Sequence, residues 1–296
     1  QIDRLILYDR QGRHRGIRGK FTLASELRPE GFDAAILLQN AFEAAFITLL
    51  ARIPVRAGYT TDGRGLLLTH GVRKKPEIST CHQVNYYQEM LRGLGLAPGG
   101  NELELHLPGE SVQWAGRFLQ EQKSNAPGRR VIGLNPGAAY GPAKRWPADK
   151  FARLAKRLCK SRDTVLLVFG TEADAHAAGQ IAAAAGPRVV DLTGRTSLAQ
   201  AMALIGCCDV FVTNDSGLMH IAAALDTPTV AVFGSTNPVT TGPYSARASV
   251  VRSEIACSPC LETHCPEKHF QCMEQIGVDD VAQAVERQLA EGTADD

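Results

Sequence analysis

The stretch Thr213-Asn-Asp-Ser-Gly-Leu-Met-His220 follows an apolar run and opens a helical pattern. That placement puts the backbone amides of Ser216 and Gly217 at the positive end of a helix, where anions bind. Gly217 has no side chain, so a phosphate can approach its amide closely. Asp215 would repel a diphosphate, and its carboxylate is better suited to accept hydrogen bonds from sugar hydroxyls. The competing interpretation is that Asp215 or Ser216 only caps the helix. His220, one turn further on, either reaches the same ligand or is a satisfied core histidine.

Gly141-Pro-Ala-Lys-Arg-Trp-Pro147 sets Lys144 and Arg145 just before a helix start. Cations there oppose the helix dipole unless an anion sits between. A flexible ammonium steadying a leaving phosphate would resolve the conflict. Trp146-Pro147 reads as structural, packing the helix entry with proline in the first turn. Glu172, after Gly170-Thr171, either accepts hydrogen bonds from a nucleoside or is a first-turn acid without a ligand.

Two further groups carry chemistry. Residues 10–20 hold six basic side chains, Arg10, Arg13, His14, Arg15, Arg18 and Lys20. A solvated loop is the default for such a run, and arginine forks also suit carboxylates and phosphates. Cys257, Cys260, Cys265 and Cys272 form a compact group with His264 and His269 between them. Thiolates at this density can hold zinc as a structural ion, although the spacing is not that of a standard ribbon or knuckle.

The elements that must position these residues are clearest in the second half. Apolar runs at 130–134, 164–169, 188–191, 209–212 and 228–233 read as strands. Helical patterns at 147–160, 172–185, 197–207, 216–225 and 278–289 alternate with them; Phe151, Leu154, Ala155 and Leu158 show the i, i+3, i+4, i+7 spacing. Continuous apolar strands between helices imply a parallel sheet covered on both faces. Such sheets bind ligands at the carboxyl ends of their strands. The polar loops fall there, with Asn135-Pro-Gly137, Gly170-Thr-Glu172, Thr213 to Gly217 and Gly234-Ser-Thr-Asn237. The first half predicts a strand at 32–38 and helices at 41–51 and 86–94, and places Asn40 and Phe42 just after that strand. Ser, Asn, Pro and Gly at 122–128 suggest a linker, hence domains 1–127 and 128–296.

Length and composition fit two domains. The chain has 296 residues, 44% of them hydrophobic and 21% charged. A net charge of +1 gives no reason to expect nucleic acid. No apolar stretch approaches the length of a membrane span. Eight cysteines are too dilute for a disulfide scaffold and suggest reduced thiols, as in the cytoplasm.

Asn135-Pro-Gly-Ala, Gly141 to Pro147, and Thr213-Asn-Asp-Ser-Gly-Leu-Met-His-Ile-Ala-Ala-Ala-Leu225 together resemble the ADP-heptose:lipopolysaccharide heptosyltransferases of glycosyltransferase family 9. The resemblance covers essentially the whole chain. It implies an α/β GT-B fold, two Rossmann-like domains with parallel sheets facing across a cleft. The carboxyl-terminal domain would hold ADP-heptose and the amino-terminal one the lipopolysaccharide inner core. By position, Lys144 is expected on the diphosphate, Asp215 on the heptose, and Ser216 and Gly217 at the phosphates. Asn135, Gly137, Asn214 and His220 are expected around the donor, with Glu172, Arg195 and Thr196 at the nucleoside. Arg13, Arg15, Arg18 and Asn40 are the expected acceptor contacts. The family opens with a strand, a Gly-Asp loop carrying the general base, and a helix, and Gln1 corresponds to a position after that unit. Inverting transfer without a catalytic metal, in the cytoplasm and in peripheral contact with the inner membrane, is the implied activity. The competing expectations are a nucleotide-sugar epimerase or hydrolase on the same fold, and a non-catalytic sugar-nucleotide-binding protein.

Overall fold

A computed structural model describes residues 2–123, 130–160 and 163–291. The chain forms two compact units that part between Asn101 and Glu102.

The first unit holds a three-stranded parallel sheet, β1 (Ala34–Ile36), β2 (Val55–Tyr59) and β3 (His70–Val72), in that order. Its helices are α1 (Gly16–Leu27), α2 (Phe42–Leu50) and α3 (Gln83–Gly93). The basic run expected as a loop is therefore half helical. Leu23 and Ala24 of α1 are buried, and Ala24 packs with Ala51 and Ile53; burial of this face outweighs the polar composition of the run. A second cluster joins Tyr59, Tyr86 and Met90. The Tyr59 and Tyr86 rings stand 4.6 Å apart, and Tyr59 Oη donates to Tyr86 O at 2.7 Å. Burial pushes the Tyr59 phenol up to about 12.

The second unit begins with α4 (Gly109–Lys123). Ala115 and Leu119 of this helix enter the second unit's core beside Leu204 and Ile205. The compact units thus part after Asn101, well before the boundary expected at 127, because Ala115 and Leu119 of α4 pack with downstream partners. Of the expected linker, Gln122 and Lys123 end α4, and 124–128 lie outside the described residues.

From there strands and helices alternate: β4 (Arg130–Asn135), α5 (Ala148–Leu158), β5 (Thr164–Val168), α6 (Ala175–Ala185), β6 (Val189–Asp191) and α7 (Leu198–Ile205). They continue with β7 (Val210–Asn214), α8 (Gly217–Ala224), β8 (Thr229–Phe233), α9 (Pro238–Thr241), β9 (Ala248–Arg252), α10 (Gln271–Glu274) and α11 (Val278–Glu291). The six strands are all parallel, in the order β6-β5-β4-β7-β8-β9. The strand order reverses between β4 and β7, which opens a crevice at their carboxyl ends.

Alternate side chains of each strand feed opposite cores, following the period of two. Ile132, Leu134, Leu166, Val168, Val210 and Val212 join Phe151, Leu154, Ile181 and Val285 on one face. Val131, Val165, Leu167 and Phe211 join Leu204 and Ile205 on the other. The edge strand β9 escaped the sequence reading because it is only half covered and carries no continuous apolar run.

Candidate functional site

At the crevice between β4 and β7 lies a cavity of about 720 Å3. Its floor is polar and almost wholly buried. Asn135, the last residue of β4, donates from Nδ2 to Thr213 Oγ1 at 2.9 Å and to Ser216 Oγ at 2.8 Å. Ser216 and Gly217 line the cavity at the start of α8. Neither Asp215 nor Ser216 caps that helix by its side chain, so the simple capping interpretation does not describe this turn. A Cβ built on Gly217 would meet no atom within 4 Å, which leaves the space before its amide open.

One side of the cavity is an apolar slot. Leu198 and Ala201 of α7, Leu218 and Ile221 of α8, and Phe169 just after β5 contribute apolar lining. Leu198 is 63% exposed although it is a large aliphatic residue at a helix start. Ser197 caps α7 by a capping box with Gln200, which fixes this edge. The opposite rim carries Arg145, whose guanidinium donates to Ala138 O at 3.2 Å and lies 3.7 Å from Asp174 Oδ1.

Beside the helix start, Lys144 Nζ lies 2.6 Å from Asp215 Oδ2. Thr236 Oγ1 donates to that same oxygen at 2.6 Å. Lys144 also stands 4.4 Å from the centre of the Tyr140 ring, a cation–π distance. The misplaced cation of the sequence thus has its anion within the protein, and the carboxylate that would repel a diphosphate is neutralised by the lysine. With Oδ2 so occupied, Oδ1 of Asp215 is the oxygen left to accept from a ligand.

Of the expected donor residues, Asn135, Gly137, Thr196, Ser216 and Gly217 line the cavity; Lys144 and Asp215 are not among its lining residues, but each directly precedes one that is, Arg145 and Ser216. Asn214 does not line it: Trp146 N donates to its Oδ1 at 3.0 Å and its Nδ2 donates to Pro136 O at 2.8 Å, so its buried amide ties two loops together. His220 is exposed on α8 and Arg195 is exposed beyond Thr196; neither is among the lining residues. Glu172 is exposed at the rim between Thr171 and Ala173, which do line the cavity. Asp174 and the apolar lining were missing from the sequence analysis, which named Arg145 and Thr171 within their loops but gave neither a ligand role. Arg145 beside Lys144 and the exposed Leu198 after a capping box were the signals for two of them.

In the first unit the basic residues separate. Arg13 pairs with Glu26 Oε2 at 3.3 Å, and the same oxygen lies 3.2 Å from His14 Nε2. His14 is fully buried and its Nδ1 accepts from Asp9 N at 3.0 Å, so it is a structural histidine. Arg15 and Arg18 are exposed. Asn40 is engaged at both ends of its amide: Nδ2 donates to Tyr86 Oη at 2.6 Å and Oδ1 accepts from Arg64 at 3.0 Å. Arg64 is fully buried, and burial lowers its pKa. Phe42 is exposed at the start of α2.

The cysteine group closes round a separate small cavity in the second unit. Burial, then the neighbouring thiols of Cys257, Cys260 and Cys265, push the Cys272 thiol up.

The comparisons with known proteins agree with this geometry. The family model described as glycosyltransferase family 9 (heptosyltransferase) matches residues 20–271. Lipopolysaccharide heptosyltransferase 2 of Salmonella typhimurium is 38% identical over 237 residues, 78% of this chain and 68% of that protein. Lipooligosaccharide heptosyltransferase 2 of Haemophilus ducreyi is 33% identical over 284 residues, 92% of this chain and 80% of that one. Among solved structures, the ADP-heptose LPS heptosyltransferase II of E. coli aligns with a TM-score of 0.73 and 31% identity, covering 93% of this chain and 82% of that one. A family 9 glycosyltransferase from Veillonella parvula gives 0.83 at 26% identity, over 98% and 83% of the two chains.

Proposed function

The chain belongs to glycosyltransferase family 9, a GT-B enzyme, and from that premise we propose that it moves L-glycero-D-manno-heptose from ADP-heptose onto the heptose–Kdo–lipid A inner core of lipopolysaccharide. The observation that supports this reading is one cavity lined by the apolar side chains of α7 and α8, by Arg145, and by Ser216 and Gly217 at the start of α8, with Lys144 and Asp215 the sequence neighbours of Arg145 and Ser216. A flat base fits between Leu198 and Leu218, and the diphosphate reaches the amides of Ser216 and Gly217 with Lys144 alongside. Glu172 and Thr196 then lie at the nucleoside end, and Asp215 Oδ1 faces the sugar.

The transfer we propose is inverting. The acceptor hydroxyl attacks the anomeric carbon as its proton passes to a base, and the bond to the ADP oxygen breaks. Charge grows on the departing diphosphate, where Lys144 and the helix amides meet it in a partly dry site. Protein cations perform this stabilisation, so the chemistry requires no metal. The exposed Arg15 and Arg18 of the first unit suit Kdo carboxylates and core phosphates. Because lipid A is anchored in the inner membrane, catalysis belongs at its cytosolic face, with the enzyme in peripheral contact. No helix among the described residues is long and apolar enough to cross a membrane.

The test is incubation with ADP-heptose and a heptose–Kdo–lipid A acceptor, with the anomeric configuration of the product read by NMR. Release of heptose equally fast without acceptor would favour a hydrolase on the same fold. A retained configuration would overturn the inverting step.

A further inference from the structure

The segment from Cys257 to Cys272 has no regular structure until α10, yet its backbone is held in costly conformations. Leu261, Lys268 and Phe270 all have positive φ, at 62°, 59° and 48°. Only six non-glycine residues do so among those described, so half of them fall in this one segment. Backbone of this kind persists where something else fixes it.

Four thiols surround its interior. Cys257, Cys260, Cys265 and Cys272 line one cavity of about 130 Å3 together with Ser235 and His269. None of the four is in a disulfide. Cys265 Sγ already accepts a hydrogen bond from Phe270 N at 3.4 Å, a contact that stabilises a sulfur carrying negative charge. Ser235 is 1% exposed and its Oγ has no hydrogen-bond partner, although it faces the same cavity. A buried hydroxyl without a partner calls for one, and a thiolate sulfur at a metal would accept from it.

We propose that these four cysteines bind one thiophilic divalent transition-metal ion, zinc or iron, as a structural clip. Each thiol releases its proton to solvent as its sulfur ligates, giving the tetrahedral thiolate set such ions favour. Among the described residues no three candidate ligands yet share a common coordinating point. Binding therefore requires the sulfurs to close up across the small cavity they already line.

The clip reaches the donor site. Tyr140 Oη donates to Leu261 O at 2.9 Å, and Ala143 N donates to Thr263 O at 3.1 Å. Leu261 N donates to Ser235 O at 2.7 Å, next to the Thr236 that holds Asp215. Both walls of the Lys144–Asp215 pair thus rest on the cysteine segment. The metal site does not depend on the sugar assigned above, since its readouts are independent of heptose transfer.

The experiment uses the full chain purified without oxygen from medium supplemented with zinc and iron. Elemental analysis should find one zinc or iron per chain, and cobalt(II) added to metal-stripped, reduced protein should give intense thiolate charge-transfer absorption in the near ultraviolet. Cys260→Ser/Cys265→Ser should abolish both, while Cys81→Ser, in the other unit, should leave both unchanged. Releasing the ion with a thiol reagent should lower Tm and shrink the thermal shift produced by ADP. Sub-stoichiometric metal together with no cobalt charge-transfer band in the wild-type protein would overturn the proposal, and that result needs no variant to fold. Full metal binding by the double cysteine variant would equally overturn this ligand set.

Discussion

The ammonium of Lys144 lies 2.6 Å from Asp215 Oδ2, with side chains only 13% and 5% exposed. Two charges this buried hold each other, and removing one leaves the other uncompensated. The pair is therefore a structural joint, and under the proposed function it also stands beside the departing diphosphate. A diphosphate bound as proposed at Ser216 and Gly217 would meet a lysine already fixed by the Tyr140 ring and by a carboxylate that Thr236 itself holds. Preorganisation of this kind is what makes a cation useful in a transition state.

Lys144→Ala should lower turnover by about 100-fold, as loss of a preorganised transition-state donor does. Because it strands Asp215, it should also cost about 3 kcal/mol of stability. Lys144→Ala/Asp215→Asn should recover much of the stability and none of the turnover. Steady-state rates and denaturant unfolding measure the two effects. A single variant within a few-fold of wild-type turnover would reduce Lys144 to a partner for Asp215.

ADP should stabilise the second unit and UDP far less, because the apolar slot between α7 and α8 offers stacking area for a purine. Saturating ADP at 100 times its Kd is worth about 2.7 kcal/mol by mass action. Thermal unfolding with each nucleotide tests this; equal shifts would remove the base preference. Leu198→Ala should weaken the ADP shift, since that side chain forms one wall.

The three arginines expected at the acceptor, Arg13, Arg15 and Arg18, should not contribute equally. Arg15→Gln/Arg18→Gln should raise the acceptor KM, since each charge-assisted contact contributes roughly 1.5–3 kcal/mol, about tenfold or more. The KM for ADP-heptose should be unchanged. Arg13→Gln should have a smaller effect, because Arg13 is already paired with Glu26. Salt should weaken the acceptor more than the donor. An unchanged acceptor KM in the double variant would return this stretch to a solvated surface.

Glu43 gives the first unit a pH dependence. The Lys20 ammonium at 2.8 Å, then the Tyr8 hydroxyl, holds its carboxyl below the usual carboxylate range. A carboxylate whose pKa is depressed in the folded state stabilises above its unfolded pKa and loses that contribution as pH falls through the folded one. Glu43→Gln should thus cost about 0.5–1 kcal/mol at pH 7 and almost nothing once the solution is acid enough to protonate the folded carboxyl. Unfolding curves across that range decide it; a cost that stays constant would assign the effect to packing.

Gly137→Ala should damage the cavity directly. A Cβ there would come within 2.7 Å of Asp174 Oδ2, and Asp174 cannot retreat because it closes the capping box with Thr171. Overpacking of this sort costs about 1–3 kcal/mol, and the ADP shift should fall with it. Normal stability with normal ADP response would show that the Asp174 loop yields freely.

The second unit was largely legible in the sequence because its signals are local. Strands such as Thr164–Val168 are buried on both faces, so Val165 to Val168 form an unbroken apolar run that is unmistakable. Their alternation with amphipathic helices then requires a parallel sheet, and the loops at the carboxyl ends follow by topology. Asn135, Gly137, Ser216 and Gly217 were singled out by that route, and Thr196 by the family resemblance; all five line the cavity. The half-exposed β9 and the amphipathic α4 were not, since neither pattern states which partner will cover it.

Pairing between distant side chains was decided only by the tertiary structure. Lys144 and Asp215 each carry a charge whose sequence neighbourhood looks unfavourable, and only the fold shows that each is the other's remedy. Asn214 and Asn40 have the residue type of ligand contacts, yet their amides are taken up by Trp146 and Pro136 in one case and by Tyr86 and Arg64 in the other. The physical reason is one of range. Hydrophobic periodicity acts over a few residues and is written in the chain, whereas a hydrogen bond or ion pair depends on ångström-scale distances between segments that only the packed sheet brings together.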